Sequence, residues 1–415
     1  MSMDAEGYVT ELGYTLGYYA ELDPRAVAQR LCALGFQPPS IRRACEPGFG
    51  QGLSLAIHAV AGEAEWWGND LLPQHVGTLR ELTAGLTNRL HIYGESFAEF
   101  CVRPELPHFD FIALHGVWSW VSAANRNRLV AFMERCLAPQ GVVYLSYNAR
   151  AAWASVTPLR EFLVKHAARA ELAHLPLAER IEAALLAAQG VVAADLSPAR
   201  DTPAFERHLR AIRHQSKAYL AHEYFNRDWL AFAPEEIAAA LAPLGLEYAG
   251  QARAGTEGDA AQPFRRDLWV RCLKRRGGED PRTGAIASSA KGVEPLALSP
   301  DPTRRASVRQ LNHRLLQRAR RDPYLTTLAS PLSGGGVEFH WRTLLAFAAW
   351  CDGVDDAGGI ANSVDAVLAT LGHPFVHRDV VIRDAAERRR MLEREAQEFL
   401  AITLERLRRL GIEEG

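Results

Sequence analysis

Between Ile41 and Ser146, short apolar runs alternate with helix-period segments, and this alternation limits the possible folds more than any other feature of the 415-residue chain. Extended runs are expected at Arg42–Glu46, Glu65–Asp70, Leu90–Tyr93, Phe109–Leu114 and Gly141–Ser146. Helices are expected at Leu53–Val60, after Leu71-Leu72-Pro73, and at Asn125–Leu137. Strands this apolar, separated by helices, imply a parallel sheet covered on both faces. Such a sheet receives ligands at the carboxyl ends of its strands, near the point where strand order reverses. The chemistry-bearing segments of this chain fall at those ends.

One of them is Glu46-Pro47-Gly48-Phe49-Gly50-Gln51-Gly52, between the first strand and Leu53. Glycines at alternate positions let the backbone bend tightly and approach a ligand with no Cβ in the way. The helix that follows offers unpaired N–H groups to a negatively charged ligand group. Pro47 removes one N–H and holds Glu46 extended, so the N–H groups of Gly48 to Gly52 are expected to hold the ligand. Twenty residues beyond Gly50 stands Asp70, whose carboxylate can accept hydrogen bonds from both hydroxyls of a ribose. NAD and FAD compete for this pattern, but their loops usually read G-x-G-x-x-G, whereas here the spacing is G-x-G-x-G and residue 53 is Leu.

The loop resembles the first motif, E-x-G-x-G-x-G, of class I S-adenosylmethionine (SAM) dependent methyltransferases. A more specific resemblance lies in Phe109-Asp110-Phe111-Ile112-Ala113-Leu114-His115-Gly116-Val117-Trp118-Ser119-Trp120-Val121-Ser122. It continues in Tyr144-Leu145-Ser146-Tyr147-Asn148-Ala149, Tyr219-Leu220-Ala221-His222-Glu223-Tyr224 and Phe264-Arg265-Arg266-Asp267-Leu268-Trp269-Val270-Arg271. These stretches resemble methyltransferases that carry a methyltransferase regulatory domain, a group that includes bacterial lysine methyltransferases acting on outer-membrane protein. The resemblance spans roughly residues 8 to 275. The chain departs from the family's Pro-Gly-Trp turn at Ala151-Ala152-Trp153 and carries Pro47 where the family usually has Leu.

This resemblance implies a Rossmann-like α/β domain binding SAM, followed by mainly helical parts, and an enzyme moving a methyl group to a protein lysine or another amine. A small molecule or surface-glycan precursor is the alternative acceptor, and SAM binding without turnover the alternative to catalysis. The cofactor set is Glu46, Gly48, Phe49, Gly50 and Gly52 in the loop, Asp70 on the ribose, and Leu71 on the adenine face. Glu95 and the backbone N–H of Ser96, in the turn ending at Phe97, meet the adenine edge. His115 and Gly116 lie by the methionyl part, and Tyr14 or Tyr18 forms an aromatic cover. An amine acceptor must also lose a proton, and His115, Tyr147, His222 and Glu223 are the candidates. Trp118 and Trp120 alternate, so at most one faces the site.

The boundaries expected are a SAM-binding domain over 1–155, a regulatory-like domain over 156–275, a linker over 276–303 and a helical C-terminal domain over 304–415. In the last part Arg388-Arg389-Arg390 alternate with glutamates and read as a self-paired helix face. A formal charge of −2 gives no electrostatic case for nucleic acid or an anionic membrane. No apolar run suits a membrane span, and the acidic start gives no secretory signal. Six scattered cysteines without a C-x-x-C pair argue against a zinc ribbon or a disulfide framework. No metal is expected, the compartment reads as cytoplasmic, and homodimer formation stays open.

Overall fold

The structure, a computed structural model, describes residues 8–9, 11–12, 16–193, 203–213, 215–255, 262–272, 301–323, 325–332, 335–377 and 380–412. The first half alternates as expected: α1 (Pro24–Ala33), β1 (Arg43–Pro47), α2 (Leu53–Ala61), β2 (Glu65–Asn69), α3 (Pro73–Thr83), β3 (Leu90–Tyr93), α4 (Phe97–Phe100), β4 (Phe109–Leu114), α5 (Ala123–Cys136) and β5 (Leu137–Ala149). Asp23 caps α1, its Oδ1 accepting from the Arg25 N–H at 2.9 Å, with Pro24 at the first helical position. A helical block follows: α6 (Arg150–Trp153), α7 (Thr157–Ala167), α8 (Leu177–Ala193), α9 (Pro203–Ile212) and α10 (Lys217–Tyr224). Then come β6 (Ala231–Phe232), α11 (Pro234–Leu241), β7 (Leu246–Gln251) and β8 (Phe264–Arg271).

The main sheet runs β3-β2-β1-β4-β5-β8-β7, with β6 paired to the end of β5. The pairs among β1 to β5 are parallel, but β8 runs antiparallel to β5, and β7 antiparallel to β8. The five strands between Arg43 and Ala149 are thus parallel as expected, and the antiparallel β8 and β7 make the whole sheet mixed. The boundary expected at 155 is corrected, because β7 and β8, from the expected 156–275 domain, complete the first domain's sheet. β7 showed no clear strand period, since its burial is paid for by pairing with β8 rather than by a local apolar face.

Alternation sorts the sheet's side chains onto two faces. Ala44, Trp66, Phe111, Val142, Tyr144 and Leu268 join one hydrophobic cluster, while Cys45, Trp67, Ile112, Val143, Leu145, Tyr147 and Trp269 join the other. The helical block has a third cluster of its own around Leu159, Ile181, Phe205 and Leu220.

The C-terminal unit holds α12 (Pro302–Ala319), a hairpin of β9 (Thr327–Ser330) and β10 (Gly335–Glu338), α13 (Trp341–Cys351), α14 (Ala357–Thr370), a short pair of β11 (Val376–His377) and β12 (Val380–Val381), α15 (Ala385–Glu398) and α16 (Leu404–Arg409). It is thus not wholly helical, and a π-helical turn at Phe399–Thr403 separates α15 from α16. Residues 276–300 of the expected linker lie outside the described residues. The unit shares a core with the sheet domain. All nine residues of α2 are buried, which accounts for a sequence, Leu-Ser-Leu-Ala-Ile-His-Ala-Val-Ala, with no polar face. The sheet covers one side of α2, and α12, β9 and β10 approach the other.

Arginines of α12 make internal contacts. Arg314 donates to the carbonyls of Glu81, Leu82 and Ala84 at 3.1, 2.9 and 2.9 Å, satisfying the C-terminal end of α3. The Arg389–Glu393 pair lies along one helix as expected, while Arg388 reaches Asp365 of α14. No helix among the described residues is long and apolar enough to cross a membrane.

Candidate functional site

A cavity of about 400 Å³ opens at the carboxyl ends of β1, β2, β4 and β5, where the strand order reverses. Its walls include Glu46, Gly48, Phe49, Gly50, Gly52, Asp70, Leu71, Glu95, Ser96, Phe97, His115 and Gly116, all expected there from the sequence. Tyr14 lies outside the described residues.

The glycine loop is built by its backbone. Gly48, Gly50 and Gly52 have φ of 73°, 60° and 75°, a region that L side chains rarely occupy. A Cβ on Gly48 would stand 2.9 Å from Cγ2 of Val117, and one on Gly52 would stand 3.0 Å from Leu79. The loop's N–H groups are not aimed at a ligand as expected. Those of Gly48 and Phe49 donate to the Asn69 carbonyl at 2.8 and 3.2 Å, and that of Gly52 donates to the Phe49 carbonyl at 3.1 Å. Gly50 donates to Oδ2 of Asp70 at 2.9 Å. Folding the loop onto the end of β2 satisfies these donors inside the protein, which a buried backbone requires.

Asp70 is correspondingly busy. Its Oδ1 accepts from the Leu72 N–H at 2.9 Å and lies 3.0 Å from Nδ1 of His75. A carboxylate offers about four lone-pair sites, so room for a further hydroxyl donor is left after these three contacts. Glu46 lies beside it, 3% exposed, with Oε2 buried and lacking a hydrogen-bond partner. Burial, and secondarily the negative charge of Asp70, pushes the Glu46 carboxyl up to about 8. Oδ1 of Asn69, another cavity residue, is buried and equally without a partner. Its Nδ2 is spent on the Glu95 carbonyl at 2.9 Å.

The turn after β3 differs from expectation in its use of polar groups. The Glu95 carboxylate is taken by Arg103, whose Nε donates to it at 2.8 Å, and the Ser96 N–H donates to Oε2 of Glu99 at 3.0 Å in a capping box. Both residues line the cavity, but the groups expected to meet an adenine edge are already engaged.

His115 sits under the rings of Tyr19 and Phe264, with centroids 3.6 and 5.7 Å away, and its Nδ1 lies 2.8 Å from the Tyr144 hydroxyl. Burial, helped by the positive charge of Arg266, holds this imidazole well below its ordinary range, so it is neutral. Gly116, with φ 63°, donates its N–H to Oγ of Ser146 at 2.8 Å.

The opposite wall comes from the helical block and the N-terminal lead-in: Tyr8, Tyr19, Trp153, Tyr219, His222 and Glu223. Nε2 of His222 donates to the Leu12 carbonyl at 2.6 Å, and burial lowers this imidazole to about 4. It ties the lead-in to α10 as a neutral ring. Tyr147 does not reach the cavity. It is fully buried on the other face of the sheet, its hydroxyl donating to Oδ2 of Asp267 at 2.8 Å. Alternation along β5 is the reason, and the next residue, Asn148, faces the cavity instead. Tyr18 also points elsewhere, its hydroxyl accepting from the Gly336 N–H at 2.7 Å and lying 3.3 Å from Nε2 of His58. Of the alternating tryptophans, Trp120 lines the cavity and Trp118 packs in the core.

Sequence reasoning missed Tyr8, Tyr19, Asn148, Trp153, Phe264 and Arg266 as wall residues. Four of these stand in or beside the motif stretches quoted above, and the parity of β5 could have chosen Asn148 over Tyr147. Nδ2 of Asn148 and Nε1 of Trp120 are buried donors without a partner. Trp153 keeps its place despite the Ala151-Ala152 turn: α6 carries it, and its indole N–H donates to the Pro263 carbonyl at 2.8 Å.

Residues 216–262 match a family model described as a predicted methyltransferase regulatory domain. An uncharacterized protein of Synechocystis sp. is 34% identical over 253 residues, which is 60% of this chain and 49% of the relative. An uncharacterized protein of Rickettsia prowazekii is 27% identical over 161 residues, covering 38% of this chain and 29% of the relative. The chain therefore spans about half or less of the length of these curated relatives. The solved structure of PKMT2 from Rickettsia typhi in complex with AdoHcy is similar at a TM-score of 0.63 and 14% identity, covering 95% of this chain and 98% of that one. This likeness establishes the fold, that of the class I SAM-dependent methyltransferases, carried through the middle and C-terminal regions.

Proposed function

We propose that this chain is a SAM-dependent methyltransferase whose acceptor is an amine, with a protein lysine favoured. One observation carries the cofactor reading: two buried oxygen acceptors without partners, Oε2 of Glu46 and Oδ1 of Asn69, line a glycine-walled cavity at the sheet's switch point. Buried acceptors left unsatisfied are costly, and a ligand rich in N–H and O–H donors would satisfy them. The residues fit SAM. Asp70 would take the ribose, Leu71 and Phe97 the adenine, and Glu46 the methionyl ammonium. When bound, SAM supplies a methyl group activated by its sulfonium, so the protein's part is binding, orientation and proton handling.

The acceptor side suits a cationic amine. Tyr8, Tyr19 and Tyr219 stand near the Glu223 carboxylate; burial, and secondarily that charge, raises all three phenols. Aromatic faces beside a carboxylate attract an ammonium group. Glu223 is our choice to receive its proton, as the carboxylate on the wall that the helical block and the lead-in supply. The likeness to PKMT2 favours a protein lysine over a small molecule.

The test is calorimetric titration with SAM beside transfer of labelled methyl groups into cell extract, separated into protein and small-molecule fractions. Label in protein, stable to conditions that hydrolyse esters, is the expected result. Label confined to small molecules would reject the protein acceptor, and binding without transfer would reject catalysis. Asp70→Ala should weaken SAM binding by about tenfold or more, the cost of a lost charge-assisted hydrogen bond. Unchanged affinity would remove Asp70 from the ribose role.

A further inference from the structure

The C-terminal unit supplies no described residue to the cavity wall, yet one of its side chains reaches the glycine loop. Nη2 of Arg318, on α12, donates to Oε1 of Gln51 at 3.1 Å. Gln51 lines the cavity and stands between Gly50 and Gly52, both in the left-handed region. Among the described residues, the loop backbone is tied on its β2 side through the Asn69 carbonyl and the Asp70 carboxylate. Arg318 thus ties the side of the loop that faces α12.

We propose that Arg318 is a positioning residue for cofactor binding: through Gln51 it holds the glycine loop in its ligand-receiving shape, so that cofactor affinity depends on the C-terminal unit. The proposal rests on the reading of this cavity as a SAM site.

The placement of α12 does not depend on Arg318. Arg314, one turn earlier on the same face, holds three carbonyls at the end of α3, and Val308, Leu311 and Leu315 are fully buried. Removing the Arg318 guanidinium should therefore leave the unit docked and release only the loop. A glycine-rich loop loses conformational entropy when it is ordered, so a loop left untied must be ordered by the ligand itself, and affinity falls.

The probe is S-adenosylhomocysteine, titrated calorimetrically into the full chain. We expect Arg318→Leu to raise Kd about fivefold, the scale of one typical intramolecular hydrogen bond, with Tm nearly unchanged. Arg318→Lys, which keeps a donor and the charge, should recover most of the affinity. Gln51→Ala should weaken binding to a similar degree, and adding it to Arg318→Leu should cost nothing more. That non-additivity is the signature of one shared contact. Equal affinity in Arg318→Leu, or additive losses in the double variant, would overturn the proposal. If Arg318→Leu lowers Tm strongly, the comparison of Gln51→Ala with Gln51→Ala/Arg318→Lys decides it: different affinities would again overturn it. Failure of the wild-type chain to bind S-adenosylhomocysteine would instead overturn the SAM reading beneath it.

Discussion

With Glu46 taking the ligand ammonium as proposed, cofactor binding should release a proton. The Glu46 carboxyl is pushed up from 4.5 to about 8 by burial and by Asp70, so it is protonated in the ligand-free protein at neutral pH. At pH 7 a group with that pKa is about 90% protonated. A ligand ammonium against Oε2 favours the carboxylate, so binding should expel about 0.9 protons at pH 7. The affinity should then rise about tenfold per pH unit as pH approaches 8 from below, and level off above it. Calorimetric titration with S-adenosylhomocysteine in buffers of different ionisation enthalpy reads the proton count directly. In Glu46→Gln the release should vanish and Kd should become flat between about pH 6 and 8. A stability corollary follows with a definite sign. A carboxyl whose folded pKa lies above its unfolded value binds more protons folded than unfolded, so ligand-free stability falls as pH rises from 4.5 to about 8. Glu46→Gln should remove that part of the slope. Proton-neutral, pH-independent binding by the wild type would refute the assignment of Glu46 to a cationic ligand group.

Three further substitutions separate the site from its scaffold. Gly48→Ala combines a φ of 73° with a Cβ 2.9 Å from Val117, so it should cost about 1–2 kcal/mol of stability and lower S-adenosylhomocysteine affinity by about tenfold or more. Gly50→Ala, with open space around its Cβ, should show the smaller loss from backbone strain alone; equal losses in denaturation and binding would contradict the steric argument. Tyr147→Phe removes the 2.8 Å hydrogen bond to Asp267 but leaves that carboxylate its Arg265 partner at 3.0 Å. It should cost about 1 kcal/mol in urea denaturation and leave cofactor affinity unchanged. A loss of binding would return Tyr147 to the site.

The alternation from Arg43 to Leu114, the three glycines, and Asp70 at the end of β2 were all readable along the chain, because each is a local signal: a period, a steric requirement, a spacing. They were enough for the fold class and for the glycine-loop side of the cavity wall. Tertiary structure decided the rest. The antiparallel return of β8 depends on pairing with β5 across more than a hundred residues, and no local pattern encodes that direction. Glu95 and Ser96 have the right chemistry for an adenine edge, but Arg103 and Glu99 reach them first. The one-residue choice between Tyr147 and Asn148 hung on which face of β5 turns to the cavity, and a period of two reverses every such assignment when its phase is unknown. The link from Arg318 to Gln51 joins side chains 267 positions apart. Residue types along the chain name the chemistry available, and only packing determines which of those groups are left with a bond still to make.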